Sequence, residues 1–324
     1  MNARIQWLLE GPSWIQYRVR RDLLDEPDSA PEVTAARQAM MDDIQVKEVL
    51  ESFPVWPGEV LNSHRSASQP YHRACFLADL GLKQGDPRID LLAEEILAHQ
   101  SAEGPFQLLS NYPAHFGGTG EDAWLWALCD APLLVFILVR FGYDDHPAVQ
   151  RAIGYLSSLV RMNGFPCVVA PQLGKFRGPG RKEDPCPYAN LAMLKLLAEI
   201  PEMQSSLPAQ AAAESQLHLW ETRRDSHPYM FYMGTDFSKL KAPLVWYDIL
   251  NVLEVLSRFP WLRTDARLND MLAVVQSKAD AEGLYTPESI YTYWKSWEFG
   301  QKKVPSRWLT FLILRIEKRL LTAG

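Results

Sequence analysis

Residues 77–106, LADLGLKQGDPRIDLLAEEILAHQSAEGPF, spell out one helical hairpin. An apolar helix runs up to Gly81, Asp86-Pro87 signals a new start, an amphipathic helix comes next, and Gly104-Pro105-Phe106 turns the chain. Glycine stops a helix because it accepts the left-handed conformation, and proline opens one because the first turn needs no N–H partner. The same grammar recurs in AWLWALCDAPLLVFILVRFGY (123–143), DDHP (144–147), AVQRAIGYLSSLVRM (148–162) and NGFP (163–166). A period of about 55–60 residues marks a repeat architecture.

Looser copies occur at 186–201 with 206–225, and at 245–259 with 264–285. The last apolar helix, SRWLTFLILRIEKRL (306–320), has no partner after it. Before the first clear hairpin lie ARIQWLL (3–9), WIQYRVRRDLLD (14–25) and a helical pattern over 31–52. The apolar members, such as APLLVFILV, are hydrophobic all round and require enclosure. AVQRAIGYL and RLNDMLAVV carry a single apolar stripe, as in an outer layer. Six enclosed helices alternating with about six half-exposed ones predict an all-α fold, an (α/α)6 toroid in one domain over residues 1–324. No strand alternation stands out, although the long loops at 102–121, 163–185 and 226–243 have room for short strands and for function.

Composition narrows the function. The 324 residues include 33 basic and 39 acidic side chains, a formal charge of -6 with no basic block, which excludes an electrostatic nucleic-acid partner. Four scattered cysteines do not make a disulfide framework. The N-terminus lacks the apolar segment of a secretory signal, and the most apolar run, 123–139, contains Asp130 and Pro132 and is too short to span a membrane. A cytoplasmic protein in a reducing compartment is expected.

The repeat L-x-x-L-G-[LY], Asp-Pro, then Q-x-x-x-G-x-[FWY], seen at 77–106 and echoed at 139–165 and 253–285, resembles that of the terpenoid cyclase and protein prenyltransferase toroids. The resemblance covers residues 60–320 and is closest to bacterial proteins with prenyltransferase or squalene-oxidase repeats. It implies a central cavity taking an isoprenoid-like or other elongated apolar molecule. The cyclases' Asp-x-Asp-Asp and Asp-Asp-x-x-Asp motifs are absent. Asp42-Asp43 and Asp144-Asp145 lack the third acid and read as solvated or capping residues.

The prenyltransferases hold zinc through Asp-x-Cys and a later His. Here Asp184-Pro185-Cys186 matches the first part, and Asp248 falls where the His would be. Asp184, Cys186 and Asp248 are thus either a three-ligand zinc site or a set of caps and a small buried hydrophobe. In such a toroid the first turns of the inner helices meet at one mouth, which gathers Tyr71, His72, Cys129, Asp130, Cys186, Tyr188, Tyr247, Asp248 and Arg307. His72, Cys129, Asp130, Tyr247 and Asp248 are the catalytic candidates. A thiolate at Cys129 or Cys186 with His72 as base is the sharpest version, because helix N-termini favour thiolates.

Eleven tryptophans, Trp14, Trp56, Trp124, Trp126, Trp246, Trp294, Trp297 and Trp308 among them, either wall an apolar cavity or simply fill a wide interior. Tyr71, Trp124, Trp126, Tyr188, Trp246, Arg307 and Trp308 are the expected cavity lining. The segment QLGKFRGPGRKED (172–184) adds four basic residues, either an anion clamp or a solvated loop. Three functions are compatible with this reading: a toroid with an apolar ligand and transferase or cyclase-like chemistry at its polar mouth, a non-catalytic scaffold with a ligand or protein partner, and a carbohydrate-active (α/α)6 enzyme using Asp130 and Asp248.

Overall fold

The computed structural model describes residues 2–53, 56–61, 63–174, 176, 181–228 and 230–321. In chain order its first helices are α1 (Ala3–Leu9), α2 (Ser13–Asp22), α3 (Pro31–Asp42), α4 (Ile44–Glu51), α5 (Pro70–Leu80) and α6 (Ile89–Leu97). The later ones are α7 (Ala131–Phe141), α8 (Pro147–Ser158), α9 (Pro187–Leu197), α10 (Leu207–Glu221), α11 (Ile249–Leu256), α12 (Ala266–Gln276) and α13 (Arg307–Leu321). Among the described residues the only sheet is an antiparallel ribbon of β1 (Leu108–Ser110) and β2 (Ala123–Leu125), so the protein is all-α. Among the same residues no helix is long and apolar enough to cross a membrane. The chain divides into two compact units, Phe53–Gly234 and Met1–Ser52 with Thr235–Gly324.

In the first unit α5, α7 and α9 pack side by side, with α6 and α8 against α7 and α10 against α9. Every residue of α5 and α9 is buried, whereas α6, α8 and α10 bury one face, as the two hydrophobic patterns predict. Gly81 (φ 91°) and Gly142 (φ 94°) end α5 and α7 in one shared way. The amides of Leu82 and Tyr143 reach back to Leu77 and Leu138 carbonyls, a closure that needs a left-handed residue. Arg140 joins the C-terminal ends, donating to the Ala78 carbonyl at 3.1 Å and pairing with Glu199 at 3.3 Å. Between α5 and α9, Lys195 and Asp79 form a buried pair 3.7 Å apart, with the ammonium 4.7 Å from the Phe136 ring of α7.

Two local expectations change. The apolar run at 123–143 is helical only from Ala131, because Pro132 is tolerated in a first turn and not deeper; residues 123–125 pair with β1 instead. Asp86-Pro87 does not cap α6. Arg88 does so in a left-handed conformation, held by its guanidinium on the Phe53 carbonyl at 2.9 Å, while Asp86 accepts the Lys83 amide.

In the second unit α2, α11 and α13 pack together, α12 lies on α11, α3 on α2, and α1 contacts both α2 and α13. The pattern at 31–52 breaks at Asp43, whose extended backbone and carboxylate cap α4, and Asp42 pairs with exposed Lys47. Four of the tryptophans form one packed cluster. Trp14 meets Trp297 and Trp308 edge-on at 5.2 and 5.3 Å, and Trp294 meets Trp297 at 5.5 Å. Here these rings fill the interior against one another.

Candidate functional site

The first unit brings three helix N-termini to one place. Gln69, Asp130 and Cys186 are the residues that cap α5, α7 and α9, and each helix carries proline in its first turn. The loop before α5 is fixed by two donors from that helix. The Tyr71 hydroxyl and His72 Nε2–H both reach the His64 carbonyl, at 3.3 and 2.9 Å. Burial pushes His72 down to about 3, so its ring is a neutral donor that positions the His64 loop.

His64 itself faces α7. Its Nε2–H donates to Asp130 Oδ2 at 2.9 Å, while Asp130 Oδ1 accepts the Ala127 amide at 3.0 Å. Asp130 is 0% exposed and the His64 side chain 17% exposed, so a buried carboxylate orients a reachable imidazole. With the proton on Nε2, the second ring nitrogen, Nδ1, carries the lone pair. The Tyr112 ring lies 6.3 Å from the His64 ring. Burial, more than the nearby Asp130 carboxylate, raises the Tyr112 hydroxyl well above its usual range; the Tyr71 hydroxyl, desolvated and beside Tyr188, rises likewise. Both phenols stay protonated.

Cys129 adjoins Asp130, with Cys167 and Cys186 near it. Leu128 N donates to the Val168 carbonyl and Cys186 N to the Phe165 carbonyl, which lays residues 165–170 alongside both 126–128 and 185–186. The Cys129 thiol donates to the Cys186 sulfur, and this lowers the Cys186 pKa below the usual thiol range, with help from the Ala189 and Tyr188 amides at the start of α9. The same hydrogen bond, with burial, raises Cys129 well above that range. Cys75, buried within α5, is pushed up to about 12 by desolvation and is inert.

The expected mouth residues of this unit, Tyr71, His72, Cys129, Asp130, Cys186 and Tyr188, therefore meet, while His64, Tyr112 and Cys167 were not anticipated. His64 sits in the polar segment SHRSASQP before an inner helix, and its position ahead of a mouth is the one signal that could have found it. Trp124 stacks on His99 from β2, and buried Trp126 lies edge-on to Tyr155 at 5.8 Å. Of the basic segment, Lys175 and Arg177 lie outside the described residues, and Arg181 donates its amide to Asp184 at 2.8 Å. Among the described residues no group of three or more His, Cys, Asp or Glu side chains is placed to hold a metal ion. A separate groove of about 620 Å³ beside α10, including Asp184, Pro185, His218 and His227, is of a size that fits a small ligand.

In the second unit Asp248 caps α11, accepting the Asn251 amide at 2.9 Å, and is 0% exposed with the Lys241 ammonium 3.9 Å away. The Asn251 side chain donates to the Trp246 carbonyl at 2.8 Å. Tyr247 is buried with its ring 5.4 Å from Phe237. Arg307 is taken up by α1, donating to the Trp7 carbonyl at 3.0 Å and covering the Trp7 ring at 4.5 Å, and Trp308 stacks on Phe311.

Burial pushes the Asp248 carboxyl up to about 6, against the pull of Lys241. The folded state therefore holds this proton more tightly than the unfolded chain does. The resulting stabilisation is complete below about pH 4 and is lost as pH rises through 6. Asp248→Asn keeps the cap and carries no charge to bury. It is expected to raise stability at pH 8 by up to about 3 kcal/mol and to leave it unchanged at pH 4, as read from urea midpoints at the two pH values.

Compared with known proteins, the chain matches no family model, and no curated relative matches it in sequence.

Proposed function

We propose that this chain is a group-transfer enzyme of the (α/α)6 toroid class. In this reading an elongated apolar molecule, carried as a thioester, gives its acyl group to the Cys186 thiolate. Three inner helices in each unit, α5, α7 and α9 in one and α11, α13 and α2 in the other, support the toroid. The observation that carries the chemistry is the buried Asp130 carboxylate, 2.9 Å from His64, beside the Cys129–Cys186 thiol contact. A thiolate favoured by a donor and a helix start, with an imidazole oriented by a carboxylate at the same group of helix starts, is the set of parts acyl transfer uses.

The step balances without a cofactor. The Cys186 sulfur bonds to the carbonyl carbon, the carbon–sulfur bond to the donor breaks, and the departing thiolate takes a proton from protonated His64. An acceptor hydroxyl, amine or water then attacks the acyl-enzyme, His64 taking its proton and Cys186 leaving as thiolate. Tyr112, protonated, is the donor for the carbonyl oxygen as charge develops on it, while the Tyr71 hydroxyl stays on the His64 carbonyl.

Incubating the protein with the N-acetylcysteamine thioester of palmitic acid tests this directly. Intact-mass analysis is expected to show one palmitoyl group, mapped to Cys186, with octanoyl and acetyl thioesters reacting more slowly. Absence of an adduct, together with no thioester hydrolysis above that of Cys186→Ser, removes the catalytic reading. The packed tryptophans of the second unit favour one other reading, a scaffold whose interior is filled. That reading predicts neither adduct nor turnover.

A further inference from the structure

We propose that the groove along α10 is a binding site for a short extended peptide carrying one basic side chain. The groove, of about 620 Å³, lies wholly within the unit Phe53–Gly234. Three segments bound it: the turn after α8, the stretch from Arg181 to Pro187, and one face of α10. Its lining runs along that helix from Ala211 to Thr222, which at 1.5 Å per residue is about 16 Å, the span of about five extended residues.

Buried amides fix these walls. Asn190, 0% exposed, accepts the Phe165 amide at 2.8 Å and donates to the Phe165 and Cys186 carbonyls at 2.9 and 2.8 Å. Gln216, also 0% exposed, donates to the Pro187 carbonyl at 2.7 Å and so holds α10 against the start of α9. Gly164 lets the turn close on α10, since a Cβ there would stand 3.0 Å from Ser215 Cβ. Asn163 and Arg161 tie the turn to the next loop through the Glu183 and Lys182 carbonyls, at 2.9 and 3.0 Å. A groove shaped before its ligand arrives has little freedom to lose on binding.

The chemistry of the lining selects the ligand. Pro185, Pro187, Ala211 and Leu219 are apolar, and Met162, 90% exposed, adds a flexible apolar contact. The hydroxyls of Ser215, Thr222 and Ser226, the Asn163 amide and the imidazoles of His218 and His227 both donate and accept. An extended backbone, with N–H and C=O in alternation, matches such groups, whereas a protonated linear amine offers donors alone. Asp184 from the loop and Glu214 from α10 stand against the single guanidinium of Arg181, so the lining is formally net negative and suits one cationic side chain.

The test is isothermal titration calorimetry of the full chain with two end-blocked peptides, Ala-Leu-Lys-Leu-Ala and Ala-Leu-Glu-Leu-Ala. The lysine peptide is expected to bind about tenfold more tightly than the glutamate peptide. Glu214→Lys, at an exposed position, is expected to weaken the lysine peptide about tenfold and to strengthen the glutamate peptide, a reversal that a misfolded variant does not give. No binding of the lysine peptide at millimolar concentration, or an affinity that Glu214→Lys leaves unmoved, would overturn the proposal. So would tighter binding of spermidine under the same conditions, which assigns the groove to small amines. No thioester enters the titration, so this site and the acyl-transfer reading stand or fall separately.

Discussion

Glu254→Gln is expected to destabilise the protein by about 3–5 kcal/mol, measured as a fall in the guanidinium midpoint, because it removes the negative charge that three arginines share. Glu254 is 0% exposed, and its Oε1 lies 3.0 Å from Arg258, Arg315 and Arg319 alike. Arg315 also reaches Asp22 at 3.0 Å, and Asp22 pairs with Arg18 at 2.7 Å, so the network links α2, α11 and α13. Its strength shows in two shifted groups. Burial alone would raise Asp22, yet Arg18 and Arg315 overcome it and hold the carboxyl at about 2, whereas desolvation draws Arg319 down to about 10. Removing the central charge weakens the compensation of the arginines' desolvation and leaves their mutual repulsion in place. The exposed Asp42 and Lys47 pair is the control, since Asp42→Asn is expected to leave the midpoint unmoved.

Asp130→Asn is expected to slow acylation of Cys186 by about 10³- to 10⁴-fold while the circular dichroism spectrum stays that of the parent. The carboxylate now accepts both the Ala127 amide and His64 Nε2–H. An asparagine has one acceptor for those two donors. With its oxygen on the Ala127 amide, its NH₂ faces Nε2, and His64 must take the other tautomer, with Nδ1 protonated and no longer a base. The signature is a changed dependence on the leaving group rather than a simple loss. Rates in the variant should recover as the thioester's leaving group is made a weaker base, because the missing step is protonation of that group by His64. A rate within tenfold of the parent would remove the Asp130–His64 pair from the mechanism.

How far the sequence reaches is clearest at α7. Its all-round apolarity predicts enclosure and Gly142 predicts its end, and both hold, because these depend on residues within one or two turns. Its start is misplaced, since AWLWALC is as apolar as the helix itself and only pairing with β1 shows it to be extended. Tyr71, His72, Cys129, Asp130, Cys186 and Tyr188 come together because each stands at or beside the start of α5, α7 or α9. His64 and Cys167 are invisible to that logic, as His64 is picked out by its bond to Asp130, 66 residues on, and Cys167 lies in a loop bridged to Ala127 and Pro185. Arg307 marks the same limit, since its place on Trp7 depends on a contact between residues three hundred positions apart.

Short-range chemistry in the sequence alone thus determined that the chain is all-α, which helices are enclosed, and that glycine stops α5 and α7. Hydrophobic periodicity and helix stops are properties of neighbouring residues. Tertiary structure alone decided which histidine faces Asp130, that Cys129 donates to Cys186, and that Glu254 gathers three arginines. Those pairings depend on the distance and desolvation created when segments far apart in the chain pack together, and neither quantity is encoded by local spacing.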